Sequence, residues 1–590
     1  KSANGGTNWS NLTQVLLTSN PNTKIIFQRG SDGGVYIGNK SGVYYRNNSM
    51  PNWVMLGNGL PATDLRFMFI NYNQGKLKIG TSRGAWEHNL YEISPPKAQI
   101  SANTNKVVCA SFDQVQFKDY STVRNASASW AWSFPGGTPS TSSLENPVVS
   151  YVGAANGFYN VSLTVTDAYG TNSQTLTNFI EVNSADCAVD TVAGKVLTLT
   201  NPGDYAQQAS ALNITTNTIT LSCWIKPNGA QVANAGIIFS SNAGATGLSY
   251  DGSGRLGYTW RDEAGSYSFN SGLTITADVW SHVALVVTAT NATLYLNGTA
   301  ATRTAAHGAA LFDQAFLFGM DRYTTRNFKG LIDEVSIYNR SLSQNEIREL
   351  MNLTRNNPNA GSLPGNDASL VSYYQFNEGA GKPAYDKTGG RHASLAGTAD
   401  KTEVSTAPVG GGTFQRISVT TGGLKDFAAP GVEITFPASG TKPGGDVVVT
   451  RINSQPDQLA SPYIMPHNPN AYYIIRNHGP NSTFAALTSI KFKNVQGTTA
   501  ATVSNPSAVT LYKRTSNADG ATWGSSIDNA DVITNSGGTG TILFSTGLNN
   551  TSFSQFSIGA DVLLLPVQLI SFTAKNVDNK TAALNWQVAQ

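Results

Sequence analysis

The sequence predicts an all-β protein, a string of separate sandwich-like bodies. Three observations carry that expectation. At 590 residues the chain is too long for one hydrophobic core. Short β-branched and aromatic runs recur between turns rich in Gly, Asn, Asp and Ser, and 57 glycines serve those turns. Charged residues make up only 13% and hydrophobic ones 40%, a balance that suits folded β modules and excludes a disordered chain.

A formal net charge of +3 is negligible at this length, and no basic stripe runs through the chain. Nucleic acid is therefore not an expected partner, and no apolar run is long enough to predict direct membrane insertion. Three cysteines, Cys109, Cys187 and Cys223, exclude a disulfide-dense scaffold. Cys109 and Cys187 flank one module, so a staple across it and two unpaired thiols are both open readings. Cys223 lies in a strand-like run with Leu221 and Trp224 and reads as a small core residue. Without a signal peptide, and with strand-like patterns at both ends, the chain reads as an internal piece of a larger exported protein.

Residues 1–95 hold a repeat. Val35-Tyr36-Ile37-Gly38 leads to Gly42-Val43-Tyr44, and 42 residues later Leu77-Lys78-Ile79-Gly80 leads to Gly84-Ala85-Trp86. That period matches a four-stranded propeller blade. With Asn52 to Pro61 between the copies, the segment resembles the last blades of sialidase-like or sortilin-like β-propellers. Asp32 in Gly30-Ser31-Asp32-Gly33-Gly34 resembles the turn of such blades and reads as a structural device for loop amides.

Next, Trp130, Trp132 and Phe134 alternate into a Pro-Gly-Gly turn, followed by Asn146-Pro147 and by Gly157 to Thr171 (GFYNVSLTVTDAYGT). Residues 97–184 thereby resemble the PKD repeat, an immunoglobulin-like sandwich of extracellular proteins that spaces its neighbours from a surface. Residues 188–352 carry three ordered phrases: DYAQQASALNITTNTITLSCWIKP, WSHVALVVTATNATLYLNGT and FKGLIDEVSIYNRSLSQNEIRELM. Together they resemble the laminin-G-like, concanavalin-type jelly roll. Within it, Trp280 to Thr299 predicts two antiparallel strands reversing at Thr290-Asn291, with Asn297-Gly298 turning the second. Ser343 and Glu346 predict a capping box on a short closing helix.

Residues 353–411 read as a linker or small β unit. Eight strand-like runs over 412–560 predict a second sandwich of unknown role. Residues 563–590, with Leu565-Pro566-Val567, Phe572-Thr573-Ala574 and Leu584-Asn585-Trp586, resemble the start of the β-domain preceding the sorting signal of type IX secretion substrates in Bacteroidota. Asp190-Thr191-Val192 resembles the O-glycosylation tripeptide of the same exported proteins.

The chain carries no His-Glu-x-x-His and no phosphate loop, so no catalytic residue is assigned. His282, beside Trp280, reads as core packing. The jelly-roll resemblance implies calcium as the candidate ion, held by Asp333 with Asp204 and backbone carbonyls, against a rival reading in which Asp333 accepts from loop amides. Tyr258, Trp260, Arg261 and Asp262 place aromatic and planar polar groups within five residues, the chemistry a sugar ring needs. If Tyr258 and Trp260 are core, Thr259 and Arg261 should face water.

These readings converge on a non-catalytic, exported surface adhesin or display protein. Its jelly roll binds a glycan or surface-protein ligand, and type IX machinery is its partner during export. The alternatives are the accessory region of a secreted glycosidase or protease with its catalytic domain upstream, and a pure scaffold. The expected location is extracellular or on the outer cell surface.

Overall fold

The computed structural model describes the chain except residues 1, 3–4, 13–22, 57–58, 61, 94, 108–113, 124–127, 184–188, 241–243, 324, 356–366, 389, 457–470, 516, 518–522, 525, 561–567, 579–580 and 590, and from residue 560 onward describes the backbone alone. Cys109 and Cys187, and with them the disulfide alternatives, lie outside the described residues. The chain is all-β, with a few short helices, and divides into two units, Lys1–Asp186 and Cys187–Gln590.

In the first unit each copy of the repeat forms a hairpin. Val35–Asn39 pairs with Gly42–Arg46 in a four-stranded sheet, and Lys76–Thr81 pairs with Gly84–Asn89 in a three-stranded one. The glycines opening the second strand of each hairpin, Gly42 and Gly84, have φ of 142° and 121°, a region side chains resist, which is why the repeat retains glycine there. Asp32 accepts from the Asn48 side-chain amide at 3.0 Å, a turn contact.

The following module is a sandwich of a three-stranded and a five-stranded sheet. Strand alternation sends Trp132 and Phe134 into its core beside Phe117, Val161, Leu163 and Val165. Trp130 stays partly exposed and donates Nε1 to Asp119 Oδ2 at 2.8 Å.

The second unit opens with a jelly roll. Its seven-stranded sheet includes Ile219–Pro227, Ser281–Val287, Asn291–Leu296 and Gly330–Tyr338, and the facing six-stranded sheet includes Gly236–Ser240, Thr246–Tyr250 and Leu256–Thr259. The reversal between Val287 and Asn291 falls at the predicted position, and Asn297 and Gly298 turn the next strand with φ of 49° and 79°. The Ser343–Glu346 capping box forms at the head of the helix Gln344–Leu350. Cys223 is buried at 1% exposure in the core.

The described residues of 353–411 do not form a separate unit. Leu370–Tyr374 pairs with Gly330–Tyr338, and Ala393–Ala396 pairs with Tyr205–Gln208, so the segment adds an outer strand to each jelly-roll sheet. Its buried Tyr373, Tyr374 and Phe376 explain why: they have no core of their own and complete that of the jelly roll.

Over 412–560 a six-stranded and a five-stranded sheet enclose one core that includes Phe427, Ile434, Tyr473, Phe492, Phe544 and Phe556. The eight predicted runs are strands; Gly423–Phe427, Ser526–Asn529 and Val532–Ser536 are further ones. Gln568–Asp578 and Thr581–Ala589 form a terminal hairpin. No helix among the described residues is long and apolar enough to cross a membrane.

Candidate functional site

The strand Leu256–Thr259 decides how the predicted sugar residues are used. Its alternation turns Tyr258 and then Trp260 inward, leaving them 1% and 0% exposed. Trp260 Nε1 donates to Gly308 O at 2.8 Å. The Tyr258 hydroxyl lies 3.0 Å from His307 Nε2 and accepts from Arg303 at 3.1 Å. Both rings belong to the jelly-roll core and offer no face to a ligand, which corrects the platform reading. Thr259 is half-buried on the opposite face and Arg261 is exposed, as the core reading requires.

The opposite face of the same strands is open. Phe239, Gly247 and Thr259 lie side by side across three adjacent strands, and Gly236, Ser249 and Gly257 form the next row. Phe239, Ser249 and Thr259 form the floor of a cleft of about 440 Å³. Its walls come from loops. Arg261 and Asp262 adopt φ of 50° and 56°, turning the chain sharply after the strand and bringing Asp262 over the cleft. Tyr267 comes from the short helix Ala264–Tyr267, and Asp321, Arg322 and Arg326 from the loop after Phe316–Phe318.

Asp262 is held by both carboxylate oxygens on Arg322 Nη1. That hydrogen bond is the main reason the Arg322 guanidinium holds its proton more tightly than usual. Asp321 accepts from Tyr323 N at 2.6 Å and from Arg326 Nη1 at 3.2 Å, while burial pushes its carboxyl above the ordinary value. The guanidinium carbons of Arg322 and Arg326 stand 5.0 and 4.7 Å from the Tyr323 ring centroid. Tyr267 is 48% exposed, so aromatic surface is available at the rim.

Gly236 sets the height of this loop. A Cβ there would fall 2.2 Å from Asp321 N and 2.3 Å from the Met320 carbonyl carbon. Gly236→Ala is expected to destabilise the jelly roll by about 1–3 kcal/mol through overpacking, read as a lower denaturation midpoint. An unchanged midpoint would mean that the loop yields freely.

The two predicted calcium ligands are used separately. Asp333 is fully buried; Oδ1 accepts from Glu334 N at 2.8 Å and Oδ2 from Ser405 Oγ at 2.5 Å. Asp204 accepts from Thr200 N and Asn201 N at 3.0 and 2.8 Å through Oδ2, and from Thr398 N at 2.6 Å through Oδ1. Burial raises the Asp204 carboxyl, but these loop donors outweigh it and hold the group below its usual value. Calcium needs six to eight oxygens, and no group of three or more His, Cys, Asp or Glu side chains suited to a metal occurs among the described residues. The donor sets do not fit a shared ion; each aspartate fastens a loop. His282 is 2% exposed, edge-on to Trp224 at 5.6 Å, and kept neutral by burial.

Of the four predicted sugar residues, the structure brings only Asp262 to the cleft wall. The chain segment Asp321-Arg322-Tyr323 was missed, although its polar and aromatic residues stand directly between two apolar strands.

Residues 200–348 match the model of the concanavalin A-like lectin/glucanases superfamily, and residues 97–179 match the PKD domain model. No curated protein matches the chain. Among solved structures, a Bacteroides ovatus protein provisionally described as carbohydrate binding is 15% identical, with a TM-score of 0.28, covering 52% of this chain and 92% of its own. A SAP-like pentraxin from Limulus polyphemus is 14% identical (TM-score 0.24; 35% and 97% covered), and the sialidase of Trypanosoma rangeli 12% (0.24; 54% and 68%). Likenesses at this level concern parts of the fold and say nothing of function. From the matched models and the observed sheets, the chain carries a PKD domain and a concanavalin-like laminin-G domain.

Proposed function

We propose that this protein is a non-catalytic, extracellular carbohydrate-binding protein whose jelly-roll cleft grips a neutral glycan. The cleft above the Phe239–Ser249–Thr259 floor carries the reading. It joins the half-exposed Tyr267, which covers the apolar side of a sugar ring, to planar polar groups that exchange hydrogen bonds with hydroxyls. Each carboxylate in it is matched by an arginine, which favours an uncharged ligand. The same pairing argues against catalysis, because Asp262 and Asp321 are both held as acceptors. A PKD spacer beside a lectin-type fold suits display outside the cell. Export through type IX machinery is part of the proposal and is supported by the resemblance of the terminal hairpin segment.

The test is calorimetric titration of the full chain with a panel of neutral oligosaccharides, with and without chelator. Binding is expected to survive the chelator and to weaken at least about tenfold in Tyr267→Ala and in Asp262→Ala, each removing a contact worth more than ~1 kcal/mol. If no neutral glycan binds, or if both variants bind like the parent, the cleft is misassigned. Release of reducing ends during the titration would overturn the non-catalytic reading.

A further inference from the structure

A second polar cleft, of about 650 Å³, lies in the Cys187–Gln590 unit, where the jelly roll meets the sandwich that follows it. The turn Asn297-Gly298 and the helix Gln344–Leu350 form one side; the end of the strand Tyr472–Asn477 and residues His478 to Ser482 form the other. Two guanidinium groups line it, Arg348 and Arg476, and Arg416, Glu349 and Asp446 form an ion-pair cluster next to Arg348. Arg416 takes both acids, at 2.9 Å to Glu349 and 3.3 Å to Asp446. Arg348 gives Nε to Gly298 O at 3.1 Å and reaches Asp446 only at 4.0 Å. Its side chain is 14% exposed, so it is a nearly buried cation whose nearest carboxylate is shared and distant. Arg476 directs Nε and Nη2 at the amide oxygens of Asn352 and Asn517.

His478 lies beside these cations. Burial, then Arg348 and Arg476, bring its pKa down to about 3, so the ring is neutral at physiological pH. Its Nε2 is buried and has no hydrogen-bond partner. A buried polar atom in that state carries the desolvation cost of an unmade bond. Asn297, Gln344, Asn477 and Ser482 add amides and a hydroxyl to the lining, and Pro480 and Phe553 add apolar surface.

We propose that this cleft is a second glycan site, which takes an acidic sugar: the carboxylate of a uronate residue sits on Arg348, and neutral His478 donates Nε2–H to it. One incompletely paired cation matches one negative charge, whereas a phosphate or sulfate ester on a dedicated site would call for a cluster. The amide and hydroxyl lining fits ring hydroxyls, and the apolar surface fits the C–H face of the ring. The first cleft, with its arginines paired to acids, takes no part in this binding.

The experiment is calorimetry of the full chain with trigalacturonate and its methyl ester at low salt. The acid is expected to bind and the ester to bind at least tenfold more weakly. Arg348→Gln should lose at least tenfold for the acid, and His478→Ala several-fold, with His478→Gln restoring part of the loss. Raising the salt should weaken the parent in the same way without any substitution. Neutral-glycan binding at the first cleft should be unchanged in Arg348→Gln, which separates this proposal from that one. Equal affinity for acid and ester, no binding of the acid, or an unaffected Arg348→Gln variant would overturn it. Equal competition by inorganic sulfate would reduce the site to a simple anion site, and tighter binding of an oligoglutamate peptide would move it to a protein partner; either result overturns the sugar assignment.

Discussion

Replacing Glu378 with glutamine is expected to destabilise the jelly roll by about 3–5 kcal/mol, the usual cost of leaving a buried charge without its partner. The side chains of Glu378, Lys387 and Lys401 are 2%, 2% and 1% exposed. Lys401 Nζ lies 3.4 Å from Glu378 Oε2 and donates to Gly379 O at 2.6 Å; Lys387 Nζ lies 3.8 Å from Oε1. Glutamine keeps an acceptor for Tyr385 N, which bonds Oε1 at 2.9 Å, but strips two buried ammonium groups of their counter-charge. Burial already lowers the pKa of Lys401, and Glu378 is what opposes it. In the variant Lys401 should shed its proton more easily, so the folded state binds fewer protons than the unfolded one and the lost stability is partly regained as pH rises toward the ordinary lysine value. Denaturant unfolding followed by tryptophan fluorescence reads the effect. A midpoint within error of the parent would refute it, and a triple change of Glu378, Lys387 and Lys401 to methionine should recover most of the loss.

Stability of the parent is expected to fall as pH rises, because of a buried acidic pair, Asp333 and Glu334. Glu334 sits at φ 53° in a bulge of the strand Gly330–Tyr338, opposite the Ser222–Trp224 stretch, so consecutive acids point inward where strict alternation would expose one. Burial raises the Glu334 carboxyl to about 7, against hydrogen bonds from Tyr373 and Gln375 that lower it. Asp333 is raised too, first by burial and then by the charge of Glu334. With folded pKa values above the unfolded ones, the native state holds extra protons between the ordinary carboxylate range and about 7. That contribution is complete in acid and is lost as pH rises through about 7. Thermal midpoints should therefore drop between about pH 5 and about pH 8, and Glu334→Gln should flatten the profile. A parent profile already flat over that span would sink the idea.

Most strands were legible because their cores impose a pattern. In the second sandwich the runs found in advance carry β-branched or aromatic residues on the buried face, as Val432, Ile434 and Phe436 do. The strands that escaped, Gly423–Phe427, Ser526–Asn529 and Val532–Ser536, are edge or near-edge elements with mostly exposed side chains. Their pairing is imposed by a neighbour, so their own residues carry little signal. Residues 353–411 were misjudged for a related reason: an added outer strand resembles any short strand until its partners are known.

By itself the sequence determined the all-β class, a PKD domain ahead of a concanavalin-like one, the Asn297-Gly298 turn and the Ser343–Glu346 cap, because period, turn chemistry and capping act over a few residues. Only the tertiary structure decided which side of Leu256–Thr259 meets solvent, and so that Tyr258 and Trp260 are core while Asp262 meets Arg322 across the chain. A strand's two faces are equivalent until a second sheet covers one of them. A cleft whose walls lie 60 positions apart exists only once the fold has joined them.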